Sequence, residues 1–79
     1  KFDTVNNSVK MYPNPAENIV HLSKSFELIR ICDIQGKQIL EFWNSSNLDV
    51  SSLKEGAYFV FLSDNSKRFN TAKLIIQKR

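Results

Sequence analysis

One cysteine, Cys32, occurs in 79 residues. No internal disulfide can form, and no metal cluster can be assembled around a single thiol. Glycines and prolines number two each, so Gly36, Gly56, Pro13 and Pro15 are read as holding particular geometries. No apolar run approaches the roughly 20 residues of a membrane-spanning helix. The polar stretch beginning at Lys1 has no hydrophobic region behind it, so no signal peptide is read there. A start at a residue other than methionine points to a fragment of something longer. The one histidine, His21, has no second histidine and no carboxylate at ligand spacing, which argues against a metal site. Serines are plentiful, yet none has the glycine-flanked context of a nucleophile elbow. Asp33, Asp49 and Asp64 all fall at turns or strand ends. The expectation is a chain that is not an enzyme, with no catalytic residue, cofactor or metal. The formal charge is only +3, and the basic residues are dispersed apart from Lys67-Arg68 and Lys78-Arg79. A nucleic-acid surface carries a denser basic patch, so no nucleic-acid partner is expected.

What is present is an ordinary apolar share, 42% of residues, enough for a folded core and against disorder. The length allows one domain, with a thin margin of stability because a small domain buries only about 60% of its unfolded surface. Residues 1–8 are polar and read as a linker or lead-in; residues 9–79 read as the domain itself. Apolar alternation between turn signals predicts strands over 9–12, 18–22, 26–34, 38–43, 48–50, 57–63 and 71–77. No window sustains a period of 3.6, so no helix longer than a turn is expected. About seven short strands with turns between them predict an all-β, immunoglobulin-like antiparallel sandwich.

Four stretches carry local mechanisms. In Tyr12-Pro13-Asn14-Pro15, neither proline can sit in a paired ladder, and each pushes the residue before it into extended backbone. The segment is read as a rigid passage between two strands. Asp33-Ile34-Gln35-Gly36-Lys37 reads as a hairpin turn, with Asp33 bonding back to the backbone and Gly36 taking φ > 0. Leu53-Lys54-Glu55-Gly56-Ala57-Tyr58 reads as a corner: Leu53 plugs the core, Gly56 takes the crowded backbone position, and the Tyr58 hydroxyl bonds backbone a few residues upstream. In the strand that follows, if Tyr58, Val60 and Leu62 face the core, Phe59 and Phe61 lie on the outer face. Long neighbours such as Arg30 or Lys73 would then cover them; the alternative is an exposed patch for a partner. Asn6-Asn7-Ser8 and Asn44-Ser45-Ser46 match the glycosylation acceptor pattern, a match short enough to arise by chance.

Taken in order, Val9-Lys-Met-Tyr12-Pro13-Asn14-Pro15-Ala16, Ile29-Arg-Ile31-Cys-Asp33-Ile34-Gln35-Gly36-Lys37-Gln-Ile39, Leu48-Asp-Val50-Ser51-Ser-Leu53-Lys-Glu-Gly56-Ala-Tyr58-Phe-Val60 and Lys73-Leu-Ile-Ile76 resemble the type A C-terminal sorting domain of the type IX (Por) secretion system of Bacteroidetes. The resemblance spans roughly residues 9–79. It implies a module at the end of a larger secreted protein, directing that cargo through an outer-membrane translocon to the cell surface or beyond. It further implies removal by a sortase-like peptidase, often with attachment of the cargo to anionic lipopolysaccharide. Pro13, Asn14, Pro15, Asp33, Gly36, Leu53, Gly56, Tyr58 and Lys73 fall on the family pattern, mostly in structural roles. Cys32 departs from it, standing where the family often has an aromatic residue. Lys73, Gln77, Lys78 and Arg79 are the candidates for recognition by the translocon. The alternative function is a fibronectin-like or carbohydrate-binding sandwich, for which the one tryptophan, Trp43, is the available sugar platform.

Overall fold

The computed structural model describes residues 10–64 and 69–78; the lead-in over 1–8, Val9, most of the turn after Asp64, and Arg79 lie outside them. Five strands follow one another: β1 (Met11–Tyr12), β2 (Ile19–Cys32), β3 (Gln38–Asp49), β4 (Gly56–Ser63) and β5 (Phe69–Ile76). All strand pairings are antiparallel. β2 is the axis. β3 runs back along one of its edges from Cys32↔Gln38 to Ile19↔Asp49. The opposite edge is shared, by β1 at His21 and Leu22 and by β4 from Leu28 to Cys32. β5 then pairs along β4 without a break in register. Past β1, the chain swings round to the far edge of β5, where Ala16 forms a parallel bridge with Ile76. The sheet is thus curled into a half-barrel.

Seven expected strands are five among the described residues. The stretches 18–22 and 26–34 are one strand, as are 38–43 and 48–50. Both expected interruptions, Ser23-Lys24-Ser25 and Asn44-Ser45-Ser46-Asn47, are polar but contain neither glycine nor proline. The chain therefore bends there without ending either strand. Between His21↔Asn47 and Phe26↔Ser45 the register shifts, and such a bulge bends a strand and increases its twist. Two facing polar stretches make one bend in a hairpin, which carries β2 and β3 from one wall of the half-barrel to the other. A single curled sheet takes the place of two separate ones.

Inside the curl, alternation holds on either side of a change of phase between Phe26 and Ile29. Val20, Leu22, Phe26, Ile29 and Ile31 of β2 are buried with Leu48 of β3, Tyr58, Val60 and Leu62 of β4, and Leu74 and Ile76 of β5. Ala16, Val50 and Leu53 close the ends of this core. On the outer face Phe61 lies between Arg30 and Thr71, and Phe59 between Cys32 and Lys73. Arg30 turns instead to Glu41, its Nε donating to Oε2 at 3.2 Å. Phe59 and Phe61 consequently stay 39% and 43% exposed, only half covered.

Candidate functional site

The first and last blocks of the sequence meet at one edge. The side-chain amide of Asn14 lies along β5, where Nδ2 donates to the Lys73 carbonyl at 3.0 Å and Oδ1 accepts from the Ile75 N–H at 3.0 Å. A primary amide carries a donor and an acceptor with the spacing of a peptide group, so Asn14 stands in for one residue of a sixth strand. Two residues on, Ala16 continues the same edge with backbone. Its N–H donates to the Ile75 carbonyl at 2.8 Å, and its carbonyl accepts from the Gln77 N–H at 2.9 Å. Pro13 and Pro15 supply no competing donor. A groove of about 380 Å³ lined by Pro13, Pro15, Glu17 and Gln77 runs beside this clamp.

The register Cys32–Phe59–Lys73 sets the end of β2, the start of β4 and the end of β5 side by side. Most of the family-pattern positions gather at that end of the sheet. Asp33 holds the hairpin turn through Oδ1, which accepts from the N–H groups of Gln35 and Lys37, each at 2.9 Å. Gly36 sits at φ 86° with nothing near the place of a Cβ; backbone conformation, not space, selects glycine there. Gly56, at φ 150°, is likewise unobstructed. Leu53 is buried, and Tyr58 sends its hydroxyl to the Lys54 carbonyl at 2.7 Å, the upstream bond expected of it.

Of the four residues nominated for recognition, three lie within the described chain, and Arg79 does not. Lys73 is exposed on the outer face. Gln77 is tied to Ala16 by its backbone and leaves its side chain at the groove. Lys78 reaches across to donate from Nζ to the Ser51 carbonyl at 2.9 Å. Asp49 stands at the same corner. Its carboxyl is held below the usual aspartate range by hydrogen bonds from the Ser51 hydroxyl and N–H, with the Lys78 charge adding to them. Lys78 is thus partly occupied in fastening the end of the chain, a role its position in the sequence did not reveal.

Sequence reasoning took the proline segment as a passage between strands and missed its hold on β5. The available signal was the asparagine itself: between two residues that cannot join a ladder, its side chain is the remaining group able to pair with an edge. The clamp predicts a measurable cost. Asn14→Ala is expected to destabilise the fold by about 1–2 kcal/mol, the net worth of two partly solvated bonds. Asn14→Asp should do no better, because a carboxylate cannot donate to the Lys73 carbonyl. Urea midpoints measure both, and an unchanged midpoint for Asn14→Asp rules out the donor role.

Elsewhere the surface offers less. Trp43 is 58% exposed, and its indole Nε1 donates to Glu41 Oε1 at 3.3 Å. His21 meets Asn47 Oδ1 through Nδ1 at 2.6 Å and packs against Tyr12. Among the described residues, no group of three potential ligands is placed to hold a metal ion, and no helix is long and apolar enough to cross a membrane. Residues 10–77 match the family model described as the secretion system C-terminal sorting domain. No curated protein matches the chain.

Proposed function

The chain belongs to the family of secretion system C-terminal sorting domains, and on that premise we propose that it is the non-catalytic export signal of a larger cargo protein. The cargo lies upstream of Lys1 in cis, and the type IX translocon of the outer membrane recognises the folded domain. Export ends at the cell surface or outside the cell. A sortase-like peptidase then removes the domain, commonly with attachment of the cargo to the surface. The match over residues 10–77 carries this reading. Its physical support is that the end of the sheet holding Asn14, Asp33, Gly36, Gly56 and Lys73 is assembled from segments far apart in sequence, so a receptor reading it reads only folded domain.

Within that surface we assign recognition to Lys73 and the Gln77–Lys78 end of the chain. A deletion of residues 76–79 is an ambiguous test, since Ile76 is buried and Gln77 pairs with Ala16. Charge reversal separates the two effects when the denaturant midpoint of the variant is measured beside its export, since Lys78 also fastens the end of the chain to Ser51. A reporter fused ahead of the chain and carrying Lys73→Glu with Lys78→Glu is expected to fold but to accumulate in the periplasm, at several times the wild-type level. Delivery of that variant to the surface at the wild-type rate removes the two lysines from recognition. Periplasmic retention of the unaltered fusion in a type IX-competent host overturns the export reading itself.

A further inference from the structure

The clamp on β5 stops short. The Lys73 carbonyl, the Ile75 N–H and carbonyl, and the Gln77 N–H all point away from β4 and are taken by Asn14 and Ala16. Alternation along a strand gives Thr71 and Phe69 the same orientation. Among the described residues, no strand pairs with that edge from Phe69 to the Lys73 N–H. It has no proline, no bulge and no inward-pointing charge, and of the usual protections of an edge it carries a single outward lysine, Lys73, at the end next to the clamp. Phe69 is 78% exposed, and its side chain shares the outer face with Thr71 and Lys73.

We propose that this open edge pairs with the same edge of a second copy, in an antiparallel dimer centred on Thr71. The argument is self-complementarity. With Thr71 opposite Thr71 of the other copy, Phe69 falls opposite Lys73, and the two-fold axis repeats that pair. Thr71 exchanges both of its backbone bonds with its counterpart, and each Lys73 N–H finds a Phe69 carbonyl. On the outer face each Lys73 ammonium lies over the ring of the opposing Phe69, within reach of a cation–π contact. A cross-strand threonine pair lies between the two contacts. The pairing ends where Asn14 begins, so the length of the open edge fixes the register.

Sedimentation equilibrium of the 79-residue chain, from about 5 μM to about 500 μM, tests the proposal. A reversible monomer–dimer equilibrium is expected. Phe69→Lys, which sets like charges opposite each other, is expected to weaken it about tenfold or more. Phe69→Glu replaces the cation–π contact with an ion pair, so it should hold the dimer at low salt and release it as salt rises. Both variants change an exposed side chain, and circular dichroism checks that they fold. A wild-type chain monomeric across the range overturns the proposal, as do assemblies that grow beyond the dimer. Equal weakening by Phe69→Lys and Phe69→Glu also overturns it, since that pattern belongs to unspecific apolar sticking. The readout is association of the isolated chain, so export of a fusion can fail or succeed independently of it.

Discussion

Phe26→Ala is expected to remove a large part of the chain's stability and to lower its melting temperature by at least about 12 °C. Phe26 is 1% exposed and belongs to the core. It is the first paired residue of β2 after the register shift, standing opposite Ser45, so its ring fills the bend that turns one wall of the half-barrel into the other. The Lys24 ammonium lies 5.1 Å from the ring centroid and closes it from solvent. Truncating a buried phenylalanine costs about 3–5 kcal/mol, through lost transfer energy and the cavity left behind. A chain of this size has roughly 4–12 kcal/mol in total at ordinary per-residue stability. A loss of this size should lower the melting temperature by at least about 12 °C. Phe26→Leu, which keeps most of the volume, should lose less than half as much. Thermal melts followed by far-ultraviolet circular dichroism measure both. Melting of Phe26→Ala within about 5 °C of wild type means that the bend does not depend on this ring.

The bend is also where sequence and structure part. Alternation put Tyr58, Val60 and Leu62 on one face and Phe59 and Phe61 on the other, because a strand with one dry face must repeat every two residues. Ser23-Lys24-Ser25 and Asn44-Ser45-Ser46-Asn47 break that alternation with polar side chains, and a local reading takes each for a loop. Their pairing is a property of the hairpin as a whole. The turn held by Asp33 and Gly36 fixes the registration of the two strands, and the two polar stretches then arrive near each other. Polar residues at a bend can face water on the outside of the curl, so both strands run on where hydrophobic alternation stops. Asn44 absorbs part of the irregularity at φ 48°, a conformation asparagine adopts more readily than most residues.

At the site, the single-residue roles were legible and the juxtapositions were not. Asp33 and Gly36 act within five residues of each other, so turn chemistry alone identifies them. The bonds from Asn14 to Lys73 and Ile75 join groups about sixty positions apart. No local rule connects them. The same holds for Lys78 and Ser51: a lysine near the end of a chain reads as an exposed charge until the fold brings a carbonyl to it.

Tyr58→Phe isolates one bond at the corner that precedes β4. Tyr58 is 8% exposed, and its hydroxyl donates to the Lys54 carbonyl at 2.7 Å. The bond closes a loop of four residues around Gly56, which holds φ 150°, and it fixes where β4 starts against Ile76. Removing the hydroxyl leaves the ring packing unchanged. The cost is therefore the lost bond and an unpaired carbonyl at a half-buried position, about 1–3 kcal/mol. Slower unfolding cannot result from this loss, so the denaturant midpoint should fall while the slope of the transition stays constant, as expected when the exposed surface on unfolding is unchanged. A fall in slope would point instead to a loosened native corner. An unchanged midpoint would falsify the role of the hydroxyl and leave the corner to Leu53 and Gly56. Because the bond lies away from the exposed Lys73 side chain, the Tyr58→Phe domain that remains folded should still direct export of a fused cargo. Stability and recognition are then separable by comparing this variant with the double lysine reversal in the same fusion.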